Sequence, residues 1–221
     1  MGGNQSYLIV GAKATCREYC KEDESVEEDP YSIKNTDAYI VNYGSYESIP
    51  GELSVYFEKE DSIINDAFAK ANPVEYSSNL QSFTIHDGVG YMMGNKGDKV
   101  DIVDANSLEV ITSISEDITK PRYFAAEGNT GYVSCWGPNA DLMNGKVKNS
   151  YIAVIGLDEY SMKTKIHIND GPEGLAIANN KLYVAREYKK QISVVDLNSN
   201  KVTDSIDVRG IPQHFEKASD G

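Results

Sequence analysis

The feature that most constrains the fold is a short motif that recurs along the chain. A tyrosine followed by an apolar residue stands at Tyr39, Tyr91, Tyr132 and Tyr183, and the intervals between them are 52, 41 and 51 residues. A second short apolar segment follows each tyrosine, as in LSVYF, VDIVD, IAVIG and ISVVD, and a turn and a further strand come after it. Each unit therefore reads as four short strands, and units of this kind bury their apolar faces by stacking on one another.

Two more positions keep a fixed distance from the tyrosines. Phe83, Phe124 and Leu175 each precede a tyrosine by eight residues, and a proline precedes the last two of these by three. A flat β-sandwich would not require the same offsets in each unit, whereas stacked blades would. We therefore predict an all-β fold, a β-propeller of four-stranded antiparallel blades, truncated to about four complete blades and part of a fifth that begins near Pro212.

The N-terminal region lacks the repeat, so we predict a tail over residues 1–30 and a partial propeller over residues 31–221. The apolar stretch from Tyr7 to Val10 is short and has no basic segment before it, and it matches a secretion signal poorly. The sequence CKEDESVEED, which starts at Cys20, is similar to the start of a mature bacterial lipoprotein, where a lipidated cysteine precedes an acidic tract. The tail is then a degenerate lipoprotein signal with an acidic linker, and a plain solvated acidic tail is the alternative.

Charge and composition exclude several classes of partner and chemistry. The formal net charge is -13 and the pI is near 4.6, which repels the phosphate backbone of nucleic acids. No run of about 18 apolar residues occurs, so we predict no membrane-spanning helix. Cys16, Cys20 and Cys135 are too scattered for a disulfide framework or a four-ligand zinc site, and no hydrolase, phosphate-loop or dinucleotide motif is present. We predict a protein that is not an enzyme and that carries no cofactor and no metal.

The candidate binding surface is one face of the predicted propeller. The loops between the second and third strands of each blade share this face with the loops that lead into the next blade, and loops on a rigid scaffold often bind. Rigid aromatic rings and guanidinium groups are combined there, which suits a large, polar, partly planar ligand or a protein partner. The predicted ligand-binding residues are Tyr43, Tyr46, Tyr76, Gln81, Arg122, Trp136, Glu173, Arg186, Tyr188 and His214.

One loop on this face is longer than its counterpart. The interval from Val100 to Ile152 is 52 residues, whereas that from Ile152 to Ile192 is 40, so the loop from Trp136 to Ser150 is an insertion. Long loops cost little stability and often carry function. We predict that this loop folds over the binding face as a partial lid and that Trp136 forms an aromatic wall of the site.

These repeats resemble a known family of propellers. The Tyr-Val-x-x strands and the segment SVVDLNSNKV are similar to YVTN repeats, and residues 37–221 resemble the YncE-like β-propeller family. Within that family, the segments AYIVNYGSY and LQSFTIHDGVGYMMGNKGDKVDIVDANSLEVI look most like a surface lipoprotein branch that includes BtuG-like corrinoid-binding and siderophore-binding propellers. The family closes its ring with about seven blades, so the four legible units here are a departure from the pattern.

The resemblance implies a non-enzymatic binding protein of the cell surface. Such a protein would capture a nutrient ligand, a corrinoid or siderophore, for an outer-membrane transporter, and a lipid on Cys20 would anchor it to the outer membrane. A periplasmic or secreted protein is the alternative localisation. Two alternative functions also remain: a scaffold for protein partners, which the same aromatic and arginine residues would serve, and a lactonase-like hydrolase.

Overall fold

Four antiparallel sheets of four strands each make up the fold, as a computed structural model shows. The structure describes residues 6–10, 33–45, 48–73, 76, 79–138, 147–216 and 218. In each sheet the strands follow one another in chain order, so every connection within a sheet is a hairpin or a longer loop between neighbours. This arrangement confirms the predicted all-β fold of propeller-like blades.

The described residues form sixteen strands and one short helix. The first sheet contains β1 (Ser6–Val10), β2 (Ala38–Asn42), β3 (Glu52–Phe57) and β4 (Ser62–Ile64), followed by the helix α1 (Ala67–Ala71). The second contains β5 (Leu80–His86), β6 (Val89–Gly94), β7 (Lys99–Asp104) and β8 (Val110–Ile114). The third contains β9 (Pro121–Glu127), β10 (Thr130–Cys135), β11 (Tyr151–Gly156) and β12 (Ser161–His167). The fourth contains β13 (Pro172–Ala178), β14 (Lys181–Arg186), β15 (Gln191–Asp196) and β16 (Lys201–Asp207).

Tight turns at one end of the second, third and fourth sheets set the register of the first hairpin in each of these blades. Asn179 and Asn180 both have positive φ, 51° and 59°, between β13 and β14, and Asp87 and Gly88 do the same between β5 and β6. A turn with two residues of positive φ has a twist that matches that of antiparallel strands. Asn, Asp and Gly adopt this left-handed backbone conformation at low energetic cost. The dipeptides therefore fix which residues face each neighbouring sheet.

The first strand of the first sheet differs from the sequence prediction. Ser6–Val10 pairs antiparallel with Ala38–Asn42, so this apolar stretch belongs to the sheet although it lies within the predicted tail of residues 1–30. The repeat did not indicate it because about 27 residues separate β1 from β2, whereas tight turns join the corresponding strands of the other sheets. The prediction of a lipidated Cys20 lies outside the described residues.

Three apolar clusters join the four sheets. Leu53 and Val55 of the first sheet pack with Phe83 of the second. Between the second and third sheets, Tyr91 stacks on Phe124 with ring centroids 4.0 Å apart and planes 11° apart. A third cluster joins the third and fourth sheets and includes Tyr132, Ile152, Leu182 and Val184. The tyrosine and apolar positions of the repeat are therefore the positions that pack one sheet on the next.

The first strands of three sheets lie side by side at the centre. β5 contacts β9, and β9 contacts β13. The segment after β16 continues this series, because the backbone N–H of Gly174 donates to the carbonyl of Gln213 at 2.8 Å. The strands at the opposite, outer edge are more exposed, and every residue of Lys201–Asp207 is exposed. Within the described part of the chain, no helix is long and apolar enough to cross a membrane.

Candidate functional site

Five of the predicted binding residues meet where the inner strands lie side by side. We call this group the axial cluster, and its members are Gln81, Arg122, Trp136, Glu173 and Tyr188. Gln81, Arg122 and Glu173 each stand two residues before the apolar residue of the repeat, near the start of β5, β9 and β13. Trp136 directly follows β10, and Tyr188 follows β14 in the corresponding loop of the fourth sheet. Residues at equivalent positions of the repeat in neighbouring blades thus lie close together.

Arg122 links three blades through its guanidinium group. Its Nε donates to Glu173 Oε1 at 2.9 Å, its Nη2 donates to Glu173 Oε2 at 3.1 Å, and its Nη1 donates to Gln81 Oε1 at 2.6 Å. Glu173 is 1% exposed and Gln81 is 6% exposed, so the network is buried. Charge-assisted, two-pronged contacts of this kind fix geometry strongly. The backbone adds a further link, because Ser82 donates to the carbonyl oxygen of Arg122 at 2.7 Å.

Two opposing effects act on the Glu173 carboxyl. Burial is the larger and raises its pKa to about 7 from an ordinary value of 4.5, while the charge and hydrogen bonds of Arg122 lower it. Glu187 adds a smaller upward effect by charge repulsion. A buried carboxyl beside a guanidinium is therefore placed so that its protonation changes near neutral pH.

Trp136 covers the guanidinium. The Arg122 Cζ atom lies 4.0 Å from the ring centroid, which is a close cation–π contact. Trp136 is only 7% exposed, so it forms the buried back of the cluster. Its role as an aromatic wall of a binding site stays a prediction. The loop predicted to close over the site as a lid includes residues 139–146, which lie outside the described residues.

The indole Nε1 of Trp136 is buried and makes no hydrogen bond of regular geometry. It lies near enough to Glu173 to help lower the pKa of that carboxyl. The contact falls outside the distance and angle of a regular hydrogen bond.

Tyr188 is the exposed aromatic residue of the cluster. Its ring is 38% exposed and meets Trp136 edge to face, with centroids 6.4 Å apart. Gly171 makes this approach possible, because a Cβ there would lie 2.7 Å from Tyr188 Cδ2. Gly171 also has a φ of 68°, a conformation that favours glycine. The repeat does not indicate Gly171, whose role depends on the ring above it.

Arg186 holds the loop that carries Gly171. Its Nη2 donates to Asp170 Oδ2 at 2.6 Å, and its Nε donates to the Asn169 carbonyl at 3.1 Å. The backbone N–H of Tyr188 in turn donates to the Asp170 carbonyl at 3.2 Å. Arg186 thus lies beside the axial cluster and supports it through this loop.

Among the other predicted site residues, Tyr76 packs in an apolar cluster and the side chain of His214 has partners outside the axial cluster. Tyr76 is 4% exposed and packs edge to face on Phe68, with centroids 5.3 Å apart, in the apolar cluster between the first two sheets. His214 pairs with Glu216 at 2.9 Å and lies near the ring of Tyr123. Tyr43 is half-buried beyond β2, and Tyr46 lies outside the described residues.

The repeat contains a signal that points to Gln213, the residue before the predicted His214. Gln213 stands two residues before Phe215, as Gln81, Arg122 and Glu173 stand two residues before Phe83, Phe124 and Leu175. Its carbonyl contacts the fourth sheet at Gly174, and its side-chain Nε2 lies 3.4 Å from Glu187 Oε1. Strict use of the offset would have found this neighbour of the cluster.

The described residues contain no candidate metal site, and a groove in this part of the chain lies between outer strands. No group of three or more His, Cys, Asp or Glu residues in this part of the chain is arranged to hold a metal ion. A groove of about 680 Å³ runs between the outer strands of the second and third sheets and includes Asp117 and Lys165, which pair at 2.6 Å. Since Asp117 and Lys165 pair with each other, this exposed pair offers little net charge to a ligand.

The four sheets and the axial cluster define a propeller-like all-β protein with a buried polar network on its axis. Residues 36–221 match the family described as domain of unknown function DUF5074, and the chain belongs to that family.

Solved structures share this architecture. The computationally designed Ika8 protein superimposes with a TM-score of 0.56 at 8% identity, over 82% of this chain and 50% of that chain. Apo AztD from Citrobacter koseri superimposes with a TM-score of 0.51 at 19% identity, over 82% of this chain and 46% of that chain. The chain thus spans about half the length of these structures, and the likeness shows the fold.

One curated protein is also similar in sequence. The zinc chaperone AztD of Citrobacter koseri is 28% identical over 131 residues, which are 57% of this chain and 30% of AztD. The matched region is thus less than a third of that protein.

Proposed function

We propose that this chain is a non-enzymatic binding protein that holds a small ligand at the axial cluster. The observation that carries the proposal is the convergence of Gln81, Arg122 and Glu173 from three blades beneath an aromatic pair. A rigid, buried polar network under exposed aromatic surface is a common form of binding site. The ligands that we propose first are those of the resembling propeller branch, a corrinoid or a ferric siderophore, delivered to an outer-membrane transporter.

The absence of an enzymatic role is supported by how the charged groups of the cluster are used. Arg122 gives its donors to Glu173 and Gln81, so it has little capacity left to stabilise a developing charge on a substrate. The raised pKa of Glu173 is also typical of catalytic acids, which keeps a hydrolase as an outcome to test. Turnover of lactone and ester substrates by the wild type, lost in Glu173→Gln, would contradict the proposal.

Zinc is the second candidate ligand, and the similarity to the zinc chaperone AztD is what favours it. The described residues hold no group of three potential zinc ligands, so this candidate rests on the sequence match alone. Isothermal titration with zinc chloride, compared with magnesium chloride, separates it from the first candidate. Zinc binding without binding of corrinoid or siderophore would replace our first choice of ligand.

The chain offers a direct probe of the site, because Trp136 is its only tryptophan. We expect cyanocobalamin or a ferric siderophore to quench the Trp136 fluorescence, with calorimetry as a check on absorbance by the ligand. The test variant is Arg122→Met/Glu173→Met, because replacing both partners of a buried ion pair by apolar groups is tolerated better than removing one. We expect at least tenfold weaker binding, about 1.4 kcal/mol.

The matched control is Asp117→Met/Lys165→Met, which removes an ion pair of the same charges at the outer groove. We expect this variant to bind like the wild type. Equal affinity of the axial variant and the wild type would refute the site. Failure of every probe to bind more tightly than about 1 mM would refute the small-ligand proposal, and a scaffold for protein partners would then be preferred.

We also propose that the protein works at the bacterial cell surface, with periplasmic or secreted location as the alternative. A lipid anchor on Cys20 has a structural consequence, because processing that makes Cys20 the first residue removes Ser6–Val10 and its pairing with β2. Labelling with a palmitate analogue in wild type and Cys20→Ala, with intact-mass analysis, tests this. An unlabelled product that retains residues 6–10 contradicts the anchor.

A further inference from the structure

We propose that two copies of this chain associate head to tail, with the open face of the fourth sheet in one copy packed on the open face of the first sheet in the other. The partner that covers each open face is thus a second copy of this chain. This inference concerns a different surface from the axial cluster, so it does not depend on the proposed ligand.

Neighbouring sheets within the chain pack through the same positions of the repeat each time. One sheet contributes the repeat tyrosine and apolar residues of its third and fourth strands, and the next sheet contributes one apolar residue from its second strand and one from its third. We call these two surfaces the tyrosine face and the reverse face of a sheet. Between the second and third sheets the residues are Tyr91, Val100 and Ile114 on the tyrosine face and Val133 and Ile155 on the reverse face. Between the third and fourth sheets they are Tyr132, Ile152 and Ile166 on the tyrosine face and Val184 and Val195 on the reverse face.

The tyrosine face of the fourth sheet is open. Ile114 and Ile166 are 5% exposed, whereas Ile206, at the equivalent position of β16, is 45% exposed. Tyr183 and Ile192 occupy the other two positions of this face and are half-buried. The apolar clusters of the described residues include none of the three side chains on this face. Apolar side chains that are exposed in one repeat and buried at the same position of the others mark an interaction surface.

The reverse face of the first sheet is the matching open surface. Its two apolar positions are Ile40 and Tyr56, which are both half-buried and lie outside the apolar clusters of the described part of the chain. The equivalent residues of the other three sheets are all 0% exposed: Met92 and Val103, Val133 and Ile155, and Val184 and Val195. Each open face therefore presents the side of the repeated interface that the other open face lacks.

Polar groups on the reverse face of the first sheet are compatible with this packing. Asn42 donates to Glu52 Oε1 and to Ser54 Oγ, both at 2.9 Å. The equivalent positions of the fourth sheet are also polar, and its reverse face packs on the third sheet: they are Arg186, Gln191 and Ser193. A polar group that is already hydrogen-bonded within its own sheet can be covered at little cost.

Similar structures of greater length support two copies. The chain matches 50% of Ika8 and 46% of AztD from Citrobacter koseri, so two copies together approach the length of either structure. A head-to-tail contact between two copies forms a closed assembly when it is made twice around a two-fold axis. The expected assembly is a closed dimer in which the four sheets of each copy form one half of a ring.

One strand position at the junction has two candidate occupants. Ser6–Val10 of one copy pairs with β2 at the inner edge of the first sheet, and residues 211–216 of the other copy reach the corresponding position beside β13. Ser6–Val10 is paired along its whole length, whereas residues 211–216 contact β13 through the hydrogen bond from Gly174 to Gln213. We therefore expect residues 211–216 to move aside when the copies associate. Processing at Cys20 would remove β1 and leave the position to residues 211–216.

Sedimentation velocity of the full chain tests the association. We expect a dimer at about 100 µM and growing dissociation on dilution to about 1 µM. Each copy carries a formal net charge of -13, so the measurement is made in about 0.15 M salt, which screens repulsion beyond about 8 Å.

One substitution on each face tests the contact. Ile206→Lys changes the tyrosine face and Tyr56→Lys changes the reverse face, and each should weaken the dimer at least tenfold, because a charge is costly to bury without a partner. Ile111→Lys changes an isoleucine of the second sheet that is 49% exposed and is part of neither open face. This matched control should associate like the wild type. Circular dichroism and Trp136 fluorescence check that each variant is folded.

A mixture of the two variants tests the head-to-tail arrangement. The Ile206→Lys protein keeps an intact reverse face, and the Tyr56→Lys protein keeps an intact tyrosine face. An equimolar mixture should therefore form a heterodimer through one unaltered contact, at concentrations at which each variant alone is monomeric. A contact between two like faces would give no such recovery.

Four results would contradict the inference. A wild-type chain that stays monomeric at about 100 µM does not associate through these faces. A dimer that Ile206→Lys leaves intact uses another surface. A dimer that Ile206→Lys weakens and Tyr56→Lys does not would have a partner for the fourth sheet other than the first sheet. Species larger than a dimer that grow with concentration would rule out the closed ring.

Discussion

Phe124 of the third sheet lies almost parallel on Tyr91 of the second, with ring centroids 4.0 Å apart and an interplanar angle of 11°. Each residue occupies a fixed position of the repeat, one on an inner strand and one on the strand beside it. The contact therefore joins two blades through the same offsets that the sequence displays. Both rings are buried, at 5% and 2% exposure.

The first prediction concerns this stack. Phe124→Ala removes most of a buried ring and leaves a cavity between the second and third sheets, so we expect the free energy of unfolding to fall by about 3–5 kcal/mol. Urea unfolding followed by Trp136 fluorescence measures the change. The control Ile111→Ala truncates a side chain that is 49% exposed and should cost less than about 0.5 kcal/mol. A loss below about 1 kcal/mol for Phe124→Ala would mean that the stack does not hold the blades together.

The second prediction concerns the pH dependence of stability. Burial raises the pKa of Glu173 from 4.5 to about 7, against the opposing effect of Arg122. Between these pH values the folded protein binds more protons at this group than the unfolded chain does. The contribution of Glu173 to the free energy of unfolding therefore falls as the pH rises through this window, by at most about 1.4 kcal/mol per pH unit.

Glu173→Gln should abolish that contribution. The free energy of unfolding of the wild type, relative to that of the variant, should therefore fall between pH 4.5 and about 7 and stay constant at higher pH. Denaturant titrations at half-unit intervals of pH measure it. Parallel stability curves for the two proteins would show that the carboxyl titrates normally in the folded state.

The third prediction concerns the reactivity of Cys135. Burial raises the pKa of this thiol to about 12, so almost none of it is thiolate near neutral pH, and its side chain is inaccessible. In the variant Cys16→Ser/Cys20→Ser, where Cys135 is the remaining thiol, we expect no reaction with Ellman's reagent at pH 8 in the folded state. Full reaction should follow in guanidinium chloride, and rapid labelling of the folded variant would be inconsistent with the buried position.

The fourth prediction concerns local stability in the fourth sheet. Lys201–Asp207 is an edge strand with every residue exposed, whereas Lys181–Arg186 is hydrogen-bonded on both sides. Amide hydrogen exchange should therefore be faster in β16 and in residues 211–216 than in β14, and slowest near Tyr91, Tyr132 and Val154. Equal protection of β14 and β16 would indicate that another surface covers the outer edge.

Much of the fold could be predicted because the repeat encodes it locally. Tyr91, Tyr132 and the apolar residues eight positions before them fix the strand register, since a shift of one residue would turn every side chain to the other face. The same arithmetic placed Arg122 beside Trp136 and brought Gln81 and Glu173 to the inner strands. Applied more strictly, it would also have selected Gln213, which precedes Phe215 by two residues.

The tertiary structure alone decided the remaining features. Ser6–Val10 joins the first sheet across a long connection, and no local pattern states which distant strand it pairs with. Tyr76 lies in an apolar cluster, away from the axial residues, because its environment comes from the packing of α1 and two sheets. The pairing of Arg122 with Glu173 depends on how adjacent blades are set against each other. Sequence offsets fix the face on which a side chain lies, whereas the partner that it meets across the axis is fixed only when the blades pack.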